Sequence, residues 1–134
     1  MSKKVELDKK TMIVSETNEK GIILYANNDF CEISGYSKNE LIGKPHNIVR
    51  HKDMPTKAFK NLWETIKKGN IWNGMVKNKT KVGAYYWVNA TIYPSIDIKG
   101  NRRYISVRVK PTEDEIKEAK ALYKALNKEE ENVF

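Results

Sequence analysis

Cysteine is almost absent from this chain, with Cys31 the single example in 134 residues. One cysteine excludes an internal disulfide and any paired-thiol site, and it fits a reducing compartment. Histidine is nearly as scarce. His46 and His51 are the only two, and neither stands on a helical pattern with a second ligand three or four residues away. A metal site is therefore not expected. No apolar run approaches the ~20 residues that span a bilayer, and Lys3, Lys4, Lys9 and Lys10 lead into no apolar signal segment. Glycine-rich phosphate loops and nucleophile elbows are missing as well, so no catalytic constellation is expected. The expectation is a cytosolic domain, free or carried by a larger assembly such as a membrane receptor, and not an enzyme.

What the chain has in quantity is positive charge, 25 Lys and Arg against 17 Asp and Glu for a net +8. The lysines scatter through element ends and turns, as at Lys77, Lys79 and Lys81, and build no basic helix face. Nucleic acid is not expected on that pattern, whereas a small anionic ligand is compatible with it. The length is that of one domain able to bury its own core.

Taken in order, residues 1–10 are charged and without periodicity, which predicts a mobile N-terminal arm or a short cap. Apolar runs at Met12–Val14 and Ile22–Tyr25 flank the turn-rich Ser15–Gly21 and predict a β-hairpin. Asn27 and Asn28 are suited to cap a short helix over Asp29–Ser34 that Gly35 stops. Ser37–Glu40 has capping-box spacing for a second short helix, which Gly43 ends. Phe59, Leu62, Trp63 and Ile66 recur at helical spacing between Pro55 and Gly69, marking the main helix. Strands follow at Ile71–Lys77, Ala84–Pro94 and Arg103–Lys110, with turns at Lys79–Gly83 and Asp97–Asn101. A second capping box, Thr112–Glu115, opens an amphipathic helix striped by Ile116, Ala119, Leu122, Tyr123 and Leu126, with a frayed polar end from Asn127. Strands, helices, then strands predict an α+β domain over residues 11–111, an antiparallel sheet with helices on one side, and a C-terminal helix and tail over 112–134.

One stretch does not fit this regularity. Gly43–Pro55 crowds both histidines, Arg50, Asp53 and two prolines together without apolar periodicity. Prolines at its ends stiffen it, and stiff polar connections are where function concentrates. Arg50, with histidine and lysine beside it, supplies donors suited to a pyrophosphate or a heterocycle edge, and equally reads as a surface ion-pair partner. Asp53 also reads as a cap for the main helix.

Several strings resemble the PAS sensor domains, most nearly the FAD-binding PAS domains of bacterial aerotaxis receptors and related redox sensors. They are Asn27–Phe30 with Ile33–Tyr36, Glu40–Gly43, the Lys44–His51 string with Asp53–Pro55, Phe59 with Leu62–Trp63, Trp72 with Gly74, Val76–Asn78, Tyr86–Val88 and Ser106–Arg108. The Ser-Gly-Tyr and Glu-Leu-Ile-Gly strings occur widely among PAS domains, while the Pro-His-Asn-Ile-Val-Arg-His string is specific to the flavin-binding aerotaxis group. The similarity runs over about residues 12–127. It implies a five-stranded antiparallel sheet with helices enclosing a pocket, non-covalent FAD inside, and redox or oxygen signalling to a chemotaxis-type or other transduction partner. Lys52 departs from it, standing where proline is common, and so does the Val82–Ala84 turn.

The candidate cofactor contacts that the resemblance implies are Arg50, His51, Asp53, Trp72, Asn78, Arg108, Asn27, Trp63 and His46. Asn78 shares a strand face with Trp72 and Val76, so a buried amide there wants partners, though Asn78 also reads as a turn residue. Trp72 and Trp63 read equally as plain core, and Gly74 leaves room on that face for a flat ligand. Arg108 poses a question of parity. Alternation of Ile105, Val107 and Val109 toward a core would turn Arg108 outward, whereas the resemblance turns Tyr104, Ser106 and Arg108 into the pocket. The outer stripe shared with Trp87 would then need cover from the arm, the terminal helix or a second subunit, which makes a homodimer through the outer sheet face one expectation. Light-sensing relatives form a cysteine adduct in the helix after the Gly43 turn, but Cys31 lies earlier and His46–Arg50 stand there. The rival readings are a ligand-free PAS interaction module and, more remotely, a haem-binding gas sensor.

Overall fold

Parity along the strands determines what the helices enclose. The computed structural model describes residues 3–132. Its strands are β1 (Met12–Asn18), β2 (Ile23–Ala26), β3 (Trp72–Lys79), β4 (Tyr85–Ile96) and β5 (Arg102–Val109). They form one antiparallel sheet in the order β2-β1-β5-β4-β3. The register sets Ile13 opposite Arg108, Arg108 opposite Ala90, and Ala90 opposite Gly74. All four share one face with Trp72, Val76, Asn78, Tyr104 and Ser106 because side chains alternate with period two. Arg108 therefore points inward and is only 2% exposed. The valines that flank it take the outer face.

The helices are α1 (Asn28–Ser34), α2 (Lys38–Leu41), α3 (Thr56–Lys67) and α4 (Glu113–Asn132), with a 3-10 turn at His46–Val49. Asn27 caps α1 by accepting from the Phe30 N–H, and Gly35 closes it in the left-handed region at φ 80°. Ser37 and Glu40 complete the expected capping box. Three expectations change. Ser15–Asn18 is strand and not turn, because β1 continues along β5 as far as Asn18 opposite Arg103. Asp53 does not cap α3: Pro55 holds that position with no side-chain hydrogen bond, while the Asp53 carboxylate takes Lys77 Nζ at 2.9 Å. The frayed end of α4 is helical through Asn132. There Asn127 Nδ2 donates to the Asp53 carbonyl at 2.8 Å, and Lys57 meets Glu129 and Glu130.

The outer sheet face is covered on one side. Trp87, only 5% exposed, lies against the Tyr123 ring, with centroids 6.2 Å apart. At the start of α4, Thr112 and Glu115 form the reciprocal cap, and Glu115 also accepts from Asn89 Nδ2 at 2.6 Å. The N-terminal segment from residue 3 runs beside β4 where β5 has ended: the Val5 N–H donates to the Tyr85 carbonyl, the Tyr85 N–H donates to the Lys3 carbonyl, and Leu7 is buried. Residues 1–2 of the arm and 133–134 of the tail lie outside the described residues.

Gly74 is required by packing. A Cβ built there would stand 2.4 Å from the Trp72 ring, whose Nε1 donates to Asn61 of α3 at 2.9 Å. Gly74→Ala is expected to displace that ring and cost about 1–3 kcal/mol of stability. Urea denaturation measures it, and a loss below about 0.5 kcal/mol, the range of inert surface substitutions, would show that Trp72 moves freely.

Candidate functional site

Between the inner sheet face, the 3-10 turn and α3 lies a cavity of about 590 Å³, within the range of small-molecule and cofactor sites. Val49, Phe59, Leu62, Ile66, Val76 and Ile92 make its walls apolar. Tyr104 closes part of the floor and meets Trp63 edge to face at 5.8 Å. The turn and α3 lean together at Gly21, whose φ of 78° suits glycine and whose missing side chain leaves space for the Trp63 ring.

The polar core of the cavity is a cluster of three residues. Arg108 Nη2 donates to Ser15 Oγ at 2.7 Å, and Nη1 lies 3.0 Å from His46 Nε2, which is itself 3.0 Å from Ser15 Oγ. Phe30 stacks on His46 and also lies 4.5 Å beneath the Arg108 guanidinium. No carboxylate among the described residues forms an ion pair with this buried arginine, and its Nε has no partner. Burial accordingly pulls its pKa down to about 10, still charged at neutral pH. Desolvation, reinforced by the Arg108 charge, lowers His46 to about 3, so its imidazole is neutral and Nε2 is free to accept from the guanidinium. Tyr86, opposite Asn78 in the register, has a buried hydroxyl with no bond of ordinary geometry, and burial raises its pKa.

Among the candidates read from the sequence, His46, Arg50, Trp63, Asn78 and Arg108 come together on this cavity. The other four lie outside it. Asn27 is occupied at the α1 cap, accepting also from Val14 N–H and donating to the Met12 carbonyl. Trp72 packs over Gly74 beside α3. His51 lines an adjoining cleft and meets Asp53, its Nδ1 accepting from the Asp53 N–H at 3.0 Å. The lysine bond lowers the Asp53 pKa, and desolvation with Lys77 nearby lowers that of His51.

The central stretch is tied to the sheet. Arg50 bridges to Asn78 as an added antiparallel pair, His51 N–H reaches the Lys77 carbonyl, and Met54 Sδ accepts from Lys77 N–H at 3.3 Å. Arg50 also lies 3.9 Å over the Phe59 ring. The loop thus adds to the β3 edge and closes one end of the cavity. Ser15, Phe30 and Tyr86 are the site residues that sequence reasoning missed. Ser15 had a legible signal, the alternation Ile13–Ser15–Thr17, once β1 is extended through it. Among the described residues no group of three His, Cys, Asp or Glu could hold a metal ion.

A five-stranded sheet in this order, with helices and a stiff loop enclosing a pocket on its inner face, defines a small α+β domain built around a cavity. The PAS fold family matches residues 23–108, and the chain belongs to it. The aerotaxis receptor of Escherichia coli (strain K12) is 45% identical over 87% of this chain. The nitrogen fixation regulatory protein of Klebsiella oxytoca is 26% identical over 70% of it. The chain spans 23% and 19% of those two relatives' lengths. Among solved structures, a light-oxygen-voltage domain studied with a flavin analogue superposes with a TM-score of 0.66 at 25% identity, covering 92% of this chain and 87% of that one. The dark state of the blue-light photoreceptor Aureochrome1 LOV gives 0.66 at 21%, covering 93% and 87%, and speaks for the fold alone. These two relatives are named as a receptor and a regulatory protein. No described helix is long and apolar enough to cross a membrane.

Proposed function

We propose that the cavity binds FAD non-covalently and that the domain reports redox or oxygen status to a signalling partner. The observation that carries this reading is Arg108: a guanidinium 2% exposed, lacking an acid partner and with an unpaired Nε, on a cavity with largely apolar walls. A buried charge left so is costly, and an electron-rich heterocycle edge offers the missing acceptor. The Tyr86 hydroxyl is a second buried polar atom without a partner, and Asn78, its opposite number on β3, lines the cavity. Arg108, Asn78 and Arg50 would hold the ring system, with Trp63 and Phe59 against its faces. When bound, the isoalloxazine supplies the electron transfer; the protein supplies binding, orientation and electrostatics. The names of the aerotaxis receptor and of the flavin-analogue structure favour the same reading. Adduct photochemistry is disfavoured, because Cys31 sits in α1 and is not among the cavity's lining residues.

The output side of the reading is the outer sheet face. Met12, Tyr93 and Val109 remain exposed there. They suit a second copy or a transduction partner. A change in hydrogen bonding at the Arg108 cluster biases β5 and β1, the strands that carry this face, and so biases the partner's equilibrium.

Purified protein is expected to be yellow and to release FAD, not FMN, on heating. A colourless protein that takes up no FAD on reconstitution overturns the proposal and leaves the ligand-free interaction module. A Soret band would instead identify the haem sensor.

A further inference from the structure

We infer that the mouth of this cavity is a phosphate site, in which Lys20 and Lys60 hold the diphosphate of the dinucleotide and so set the preference for FAD over unphosphorylated flavin. The inference rests on the flavin reading above for its ligand, but the site is argued from its own charges.

Four cations line the cavity, Lys20, Arg50, Lys60 and Arg108, and no Asp or Glu does among the described residues. Their depth is graded. Arg108 is buried, Arg50 half-buried, and Lys20 and Lys60 exposed, together with Asn47 and Thr56. The cavity is therefore an apolar chamber with one deep cation and a basic, hydrogen-bonding rim. Elsewhere, lysines near acids pair with them, as in Lys57–Glu129, Lys77–Asp53 and Lys81–Glu40. Lys20, Arg50 and Lys60 form no such pair among the described residues.

The start of α3 adds to this field. The helix begins at Thr56 on the rim, has no side-chain cap and carries no acid in its first turn. Of its first N–H groups, that of Lys57 donates to Glu130 and that of Ala58 to the Pro55 carbonyl, which leaves the Thr56 N–H at the rim to favour an anion. The unpartnered Arg108 Nε, buried in the same cavity, is independent evidence that a ligand belongs there. A molecule with a flat apolar head and an anionic tail satisfies both regions. Its uncharged parent satisfies only the chamber.

Both lysines are exposed, so their substitution leaves the fold intact, and salt screens their effect. The test titrates the ligand-stripped full chain with riboflavin, FMN, FAD and ADP, comparing wild type with the K20Q/K60Q variant at low and high salt. The variant is expected to lose about tenfold in FAD affinity at low salt, the scale of two modest charge contacts combined. Riboflavin affinity is expected to be unchanged, and high salt to abolish the difference. ADP is expected to shift the Asn47 and Thr56 backbone amide resonances of the wild type and not those of the variant. FAD affinity unchanged in the variant, an equal loss for riboflavin, or no ADP response at the rim would each overturn the inference. An ADP response without binding of any flavin would overturn the cofactor reading and leave the phosphate site standing.

Discussion

Replacing Arg108 by methionine is expected to move stability and ligand affinity in opposite directions. The guanidinium is buried without a compensating acid, and its Nε bonds to nothing. Removing such a charge while filling its space relieves desolvation, and even for paired buried charges apolar replacement is often neutral or stabilising by about 1–4 kcal/mol. The neighbours survive the change. Ser15 Oγ and His46 Nε2 are already 3.0 Å apart and satisfy each other once Arg108 is gone. Denaturant midpoints of the ligand-free variant should therefore lie above those of the wild type. Flavin affinity should fall by about 100-fold, the scale of a lost charge-assisted hydrogen bond in a buried site. Equilibrium unfolding and flavin titration measure the two effects separately. A variant that is both less stable and undiminished in binding would assign Arg108 to the core and not to the ligand.

Acid is expected to weaken the fold through His46. Its unfolded pKa is 6.5, and its folded value is held at about 3 by desolvation and then by the Arg108 charge. Between those values the unfolded chain carries a proton that the folded chain refuses. Stability is accordingly complete above pH 6.5 and falls as pH drops toward 3, at up to about 1.4 kcal/mol per pH unit. Asp53, Glu40 and Asp97 also have lowered pKa values, from Lys77, Lys81 and the backbone N–H of Asn101 respectively. Their losses begin near the ordinary carboxylate range, so the window from pH 6.5 to 5 isolates the histidines. His51 is lowered too, by desolvation and Lys77. The difference between wild type and His46→Gln in urea titrations across that window therefore reads His46 alone. Parallel curves for the two proteins would mean that the imidazole is solvated in the folded state.

The fold was legible because its signals are local. Capping boxes at Ser37 and Thr112, the α3 stripe from Phe59 to Ile66 and the alternation of β3 to β5 each name their element within a few residues. The failures occurred where tertiary pairing overrides local preference. Ser15–Asn18 has turn composition but is drawn into strand by its pairing with β5. Asp53 has the chemistry of a cap, yet Lys77 from β3 claims its carboxylate.

The pocket was harder to read for a related reason. Alternation alone left two parities for Arg108, since three valine-type residues beside it could equally line a core. What decides between them is α4, whose Tyr123 covers Trp87 on the opposite face. Tyr123 lies on a different element from Arg108, outside the strand whose alternation is being read. The Ser15–His46–Arg108 cluster likewise joins residues from three separate stretches, and no spacing announces it.

The contact between Asn127 and the Asp53 carbonyl gives α4 a mechanical character. The helix is fixed near its start by Glu115 on Asn89 and near its end by Asn127 on the cavity's closing loop. Its 20 residues make a rod about 30 Å long. A shift of about 1 Å in the loop, applied at Asn127 roughly 18 Å along the helix from Glu115, then swings the rod by roughly 3° about its anchored start. A loop movement too small to open the cavity is in this way converted into a rotation, and whatever is seated on the rod's exposed side turns with it.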